Sequence, residues 1–388
     1  MRLLPRGRNT LDQPALLALG VAGAATVFVL ARLVLVAHGD VTRFIDVGSA
    51  FAHPSAVPRG VAIVPGSGYD GEFYFRLALD PLNLHRTAFG ITLDNPYRVQ
   101  RITYSFLAWL GAGGQAVAVP YSLLAVNVVA LAALTWLGAL FARACGRRAA
   151  WGLLLAGYFG FLFSLGRDLT EICEACFVVA ALLLLRRGRP VAAGFVLAAA
   201  VLSRETALVV VAGIGVVALA DVVRRRRRPG RADAAWLVPL AGYAGWQLIG
   251  WAQLGSIPFG SDTENNLTYP FVSVAEALGH NLAQLPSEHA GVWLAQLAVL
   301  AIVVGTAGLS LAASRASRVE KSAWVVAVAL VVFLSRTLWD SHADFRGFED
   351  VYVLSTIVVL DSDRKLHAFA VVVAAMWVAT CVHRVLIF

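Results

Sequence analysis

A chain of 388 residues that is 59% hydrophobic and only 14% charged, with a mean hydropathy of +0.72, is too apolar for a soluble globular protein. Its formal net charge of +8 comes almost wholly from arginine, Lys321 and Lys365 being the only lysines. In so apolar a chain that excess speaks for anchoring on the inner face of a membrane, and no nucleic-acid partner is expected.

Strand-like alternation is absent and apolar stretches are numerous. The expected fold is therefore all-α, a polytopic transmembrane helical bundle forming a single integral membrane domain over 1–388. The opening MRLLPRGRNT, followed by a long apolar run without a small-residue cleavage site, reads as a signal anchor. Apolar runs then predict about eleven spans, near 13–37, 118–142, 149–165, 170–186, 189–203, 205–222, 234–254, 291–313, 322–338, 350–361 and 365–387. Arg2, Arg6 and Arg8 precede the first of them. Arg143, Arg147 and Arg148 follow the second, Arg186, Arg187 and Arg189 the fourth, and Arg224 to Arg228 the sixth, in a basic loop over 223–233. Arg315, Arg318 and Lys321, then Arg364 and Lys365, continue the series. Every second connection is basic, which places the N-terminus and these turns in the cytoplasm.

The other connections face outward and hold most of the acidic residues. The first outer loop, 38–117, carries HGDVTRFID with Asp40, Arg43 and Asp46, then GYDGEFYFRLALDP with Asp70, Glu72 and Tyr74, then YRVQRITY with Arg98 and Arg101. Its stretches 71–80 and 99–112 are predicted as helices lying along the membrane surface. The turn LGRDLTEICE supplies Arg167, Asp168, Glu171 and Glu174, with Arg167, Glu171 and Glu174 on one helical face. LSRETAL supplies Arg204 and Glu205, 255–290 forms a second large outer loop, and WDSHADFRGFED supplies Asp340, His342, Asp344, Arg346, Glu349 and Asp350. The CxxC pair Cys173 and Cys176 lies in an apolar run without a second pair and reads as small buried residues.

Each charged residue has a structural alternative. Asp70 suits an N-cap of the following helix, and Glu72 with Arg76 suits an i,i+4 surface pair. Arg204 with Glu205 suits a turn pair, Arg167 with Glu171 an ion pair between helices, and His342 a rim histidine. The case for function is their convergence on one face, because ionisable groups at membrane depth are costly. Arginines clamp phosphate by bidentate hydrogen bonds. A carboxylate at the boundary acts as a general base on a sugar hydroxyl or holds a divalent cation. No phosphate-cradling GxxxxGK[ST] run is present. The parts suit a donor with an isoprenoid tail, a phosphate and a sugar.

On these residues the chain resembles the GT-C superfamily of polytopic glycosyltransferases, which use polyprenyl-phosphate sugars. DGEFYFRLA matches the Asp-x-x-(aromatic)-Tyr-x-x-(Ile/Leu)-Ala pattern of GPI-type mannosyltransferases, with Asp70, Tyr74, Leu77 and Ala78 at the matching positions. GD near residue 40 together with YDGEFYFRLALDP, YRVQRITY and LSRETAL also looks like bacterial membrane proteins linked to cell-surface glycopolymer formation. The likeness covers about residues 15–215. It implies an inverting transferase in the bacterial inner membrane with its site on the extracytoplasmic face, acting on a glycan or lipid-linked acceptor. Asp70 or Asp40 would be the base, the latter closer to the first span as the superfamily has it. Arg204, Arg98 and Arg101 would hold the donor phosphate. Tyr74, Glu205, Arg167, Glu171, Asp168, Asp46, His342 and Arg346 would support them or the acceptor. Glu72 would orient the acceptor, or with Asp70 hold Mg2+ or Mn2+. The alternatives are a transporter or flippase for a lipid-linked sugar and a non-catalytic subunit of a glycopolymer assembly complex.

Overall fold

A computed structural model describes residues 12–261, 266–340 and 343–386. The expectations resting on Arg2, Arg6, Arg8 and His342 lie outside the described residues. The described chain is almost entirely helical. Its only strands among the described residues lie between 47 and 92, as a two-residue parallel pair, Val47–Gly48 with Ile63–Val64, and a short antiparallel pair, Thr87–Ala88 with Ile91–Thr92; an isolated antiparallel bridge joins Leu267 and Leu334.

Five helices are long and apolar enough to cross a bilayer, or six if a bent pair counts as one span. They are α1 (Pro14–Leu35), α4 (Val119–Ala144, extended by a turn from Ala116), α9 (Leu208–Val223, preceded by the turn from Glu205), α12 (Glu288–Ser310) and α16 (His367–Leu386). The bent pair is the turn at Ala149–Gly152 with α5 (Leu153–Ala156), followed by α6 (Gly160–Gly166) at 63°. The eleven expected spans are not supported, for a physical reason. Several apolar stretches fold into helices too short for a straight crossing: α7 (Glu171–Arg186) has 16 residues, α8 (Pro190–Ser203) 14, α13 (Arg318–Val331) 14 and α15 (Glu349–Leu360) 12. At 1.5 Å per residue, α7 reaches only about 24 Å, against roughly 30 Å of hydrocarbon.

Two of the short helices, α7 and α15, are interior, while α8 and α13 turn one side outward, with Phe195 65% and Val325 50% exposed. Every residue of α15 is buried, and it packs on α7, α12 and α13, while α8 packs between α7 and α10 (Ala234–Leu254). The long helices form the rim, where Leu19, Val27 and Val34 of α1, Leu309 of α12 and Val371 of α16 are all more than 60% exposed. Apolar side chains so bare of protein are those of a membrane-embedded surface. Helix starts follow local rules: Pro14 and Pro190 stand at first helical positions, and Ser317 with Glu320 closes a capping box on α13.

Polar contacts sort the connections into two ends. At one end, Arg186 bonds Glu320 and Asp361, Arg318 bonds Asp221, Arg147 donates to the carbonyls of Leu360, Ser362 and Arg364, and Arg315 pairs with Asp363. These are the arginine-rich turns. The other end gathers the acidic segments of 38–117 with the turns at 167–170, 203–207 and 343–349.

Within 38–117, α2 (Gly71–Leu79) does not lie along a surface. Gly71 through Ala78 are all buried, with Tyr74, Phe75 and Leu77 at 1% exposure or less. The helix is a plug in the acidic end of the bundle, against α3 (Ile102–Gly111) and α4. α3 turns Phe106 and Leu110 outward.

Candidate functional site

The α2 plug starts at a close approach. A Cβ at Gly71 would lie 2.6 Å from the carbonyl oxygens of both Arg167 and Ile45, so only glycine lets the helix start there. The preceding residue, Asp70, does not cap it: no side-chain cap bond is formed. Its carboxylate instead receives Arg98 Nη1 at 2.7 Å and Arg346 Nη2 at 2.6 Å, one arginine on each oxygen.

From Asp70 the ion pairs run in both directions. Arg98 also grips Asp94 through Nε at 3.0 Å and Nη2 at 2.8 Å. Arg346 continues to Glu171, and Glu171 to Arg204 Nη1 at 2.8 Å, which also donates to Glu349 Oε1 at 2.8 Å. Beside this chain, Arg101 makes a two-pronged pair with Glu205 (Nε 2.9 Å, Nη2 2.6 Å) and donates to the Tyr74 hydroxyl at 3.1 Å, while Tyr97 also donates to Glu205. The aromatic residues around GYDGEFYF have a role here. The Arg98 guanidinium lies 4.9 Å from the Phe73 ring centre, that of Arg346 5.1 Å from Tyr69, and that of Arg101 5.0 Å from Tyr97. Cations over ring faces are held without competing for the carboxylates.

Arg346 is aimed by a packed corner. Phe345 is buried against Trp293, Trp339 and Phe348, and Asp344 is bonded by Gln296 at 2.8 Å and Arg384 at 2.6 Å. Asp344 and Phe345 both have left-handed backbone, at φ 51° and 52°, a conformation kept only where packing enforces it.

Electrostatics separate the acids. Burial raises the Asp70 carboxyl, but Arg98 and Arg346 outweigh it and hold it well below the usual carboxylate range. Glu72 is the reverse case. It is fully buried, accepts only the Gly48 N–H at 2.9 Å, and burial pushes it up to about 8. Asp168, in the turn before α7 at φ 51°, has neither oxygen partnered, and burial pushes its carboxyl well above the usual range.

The expected residues therefore divide. Asp70, Arg98, Arg346, Glu171 and Arg204 join in one network, and Arg101, Glu205 and Tyr74 in its neighbour. Arg167 pairs with Asp46 rather than Glu171, and Arg204 pairs across to Glu171 and Glu349 rather than with Glu205. Glu72 and Arg76 do not pair either: Arg76 donates to the His85 carbonyl. Asp40 stands outside the network, where it caps the turn Val41–Phe44 by accepting from Thr42 N at 2.9 Å and Thr42 Oγ1 at 2.7 Å. Asp70 and Glu72 do not fit a shared metal, since both Asp70 oxygens are taken by arginine and Glu72 turns to the Gly48 amide. Asp94 was missed as a site residue; its spacing of four from Arg98 was the available signal.

Beside the network opens a cavity of about 360 Å3. Its polar end is formed by Tyr97, Arg101, Arg204, Glu205 and Asp350, and its walls by aliphatic side chains of α9 and α13 such as Val209, Leu330 and Val331. The arrangement defines a membrane-embedded helical protein with an ionic site at one end of the bundle and an amphipathic cavity beside it. No protein-family model, no curated protein and no solved structure matches the chain.

Proposed function

We propose that the protein is a GT-C-type glycosyltransferase of the bacterial inner membrane, taking its sugar from a polyprenyl-phosphate donor on the face opposite the arginine-rich turns. The observation that carries this reading is the cavity: two arginines at the head of an aliphatic groove match a phosphate joined to an isoprenoid tail. The phosphate would meet Arg204 and Arg101, and the tail would lie along α9 and α13.

The acceptor would enter from the Asp70 side, where that side chain keeps 14% exposure. In transfer, Asp70 takes the proton of the acceptor hydroxyl, whose oxygen attacks the anomeric carbon. The carbon–oxygen bond to phosphate breaks, and polyprenyl phosphate leaves with the electron pair. Held between two arginines, Asp70 is too weak a base for this. Arg346 and Arg204 share Glu171, so a phosphate drawing on Arg204 loosens the chain of pairs that reaches Asp70. On this reading the donor switches on the base.

The test is incubation of the purified protein with a panel of polyprenyl-phosphate sugars. Release of polyprenyl phosphate with one of them, in the presence of acceptor, is expected. Ala212 lines the groove and is exposed, so Ala212→Trp fills it without disturbing the core. That variant should raise KM for the donor about tenfold or more, the loss of roughly 1.4 kcal/mol of tail binding, with kcat little changed. Turnover with no donor in the panel, or an unchanged KM, contradicts the reading.

A further inference from the structure

The ionic end of the bundle holds more carboxyl groups than its arginines pair with. Arg98, Arg101, Arg204 and Arg346 face Asp70, Asp94, Glu171, Glu205 and Glu349 in the pairs described above. Two further carboxylates, Glu174 and Asp350, have no arginine among the described residues, and both are buried.

These two lie together with Glu349. Glu174 belongs to the first turn of α7, and Glu349 and Asp350 begin α15. One carboxylate oxygen of each falls within 4.8 Å of the others. Glu174 Oε2, Glu349 Oε2 and Asp350 Oδ2 are all buried with no hydrogen-bond partner. The other Glu174 oxygen accepts the Thr206 hydroxyl at 2.8 Å, which ties the group to the turn before α9. Helix N-termini favour anions, but that partial charge does not offset two unpaired carboxylates in an apolar interior.

From this cluster we infer a divalent-cation site whose protein ligands are Glu174, Glu349 and Asp350, of the Mg2+ or Mn2+ class. Three hard carboxylate oxygens from two helices suit such an ion. Opposite ligands of Mg2+ stand about 4.2 Å apart and adjacent ones about 3.0 Å, so oxygens gathered within 4.8 Å of one another need draw together only slightly to share an ion. Asp350 borders the cavity beside Arg204 and Thr206, which gives water access to complete the shell, as Mg2+ demands. The ion would supply two of the three positive charges by which these four arginines fall short of the seven carboxylates. It would share Glu349 with Arg204, and so stand beside the arginine to which the proposed function gives the donor phosphate. Only that last consequence rests on the glycosyltransferase reading; the site itself rests on the spacing, the unpartnered oxygens and the charge.

The test needs no donor. Purified full-length protein, stripped with a chelator and dialysed, is titrated with Mn2+ and followed by electron paramagnetic resonance. One Mn2+ per chain, displaced by Mg2+, is expected, together with a rise in Tm on Mn2+ addition. Glu174→Gln and Asp350→Asn should each weaken binding about tenfold or more. Their metal-free Tm should equal or exceed that of the stripped wild type, because each removes an unpaired charge. A variant that fails to fold without metal would contradict this, as would wild-type protein that binds no Mn2+ or variants that bind it unchanged. Asp70→Asn should bind Mn2+ as the wild type does, which separates failure of the cation site from failure of the transferase reading.

Discussion

At the scale of single residues, two carboxyls two positions apart are driven in opposite directions. Asp70 is ionised because Arg98 and Arg346 each hold one of its oxygens. Glu72 is buried with one oxygen on the Gly48 amide and the other unpartnered. A carboxyl raised from its ordinary value of 4.5 to about 8 leaves the folded state holding a proton that the unfolded chain has released. Its contribution to stability is therefore complete below about 4.5 and falls as pH rises through about 8. Melting temperatures between pH 5 and 9 should show this decline in the wild type. Glu72→Gln keeps an acceptor for the Gly48 N–H and should flatten the curve; an equally steep curve in that variant would contradict the assignment. The difference between the two acids was not legible in the sequence, because it depends on which residues from 24 to 276 positions away face each one. Asp40 was the more legible case. Asp-x-Thr is a local turn signal, and Asp40 is spent on Thr42.

At the scale of elements, the decisive feature is α2, which enters the bundle as a plug rather than lying along its surface. Its apolar and aromatic residues were visible in the sequence, but nothing local distinguishes a helix seated in headgroups from one seated in protein. The distinction comes from Gly71, whose missing Cβ lets the backbone touch two carbonyl oxygens at once. Gly71→Ala should destabilise the protein by about 1–3 kcal/mol, as overpacking does, and should displace Asp70 from its arginines. The check is a lowered Tm with donor turnover lost in the fraction that remains folded; an alanine tolerated without either effect would contradict the close approach. The short interior helices α7 and α15 tell the same story. Hydropathy found both of these apolar runs, yet hydropathy does not separate a helix that crosses lipid from one wrapped by other helices. Their lengths of 16 and 12 residues were the clue.

At the scale of the molecule, the segregation of charge into two ends was the most legible property, since arginine turns alternate with acidic ones along the whole chain. The contacts gather each set: Arg186 with Glu320 and Asp361 at one end, Arg204 with Glu171 and Glu349 at the other. By the positive-inside rule we propose that the first end faces the cytoplasm. Two exposed positions test this. Ser67→Cys should react with a membrane-impermeant maleimide in intact cells, and Arg226→Cys only after lysis; the opposite pattern would invert the topology and place the ionic end inside. The proposed function depends on the same polarity, because on that reading a polyprenyl donor, an acceptor and a base must meet on one side of the bilayer. The most direct measurement is the turnover of a polyprenyl-phosphate sugar by Asp70→Asn, compared with wild type at equal Tm. Transfer should fall by about 100-fold or more, in keeping with loss of a general base, while donor affinity stays within a few-fold. Full transfer by Asp70→Asn would contradict a base at this position.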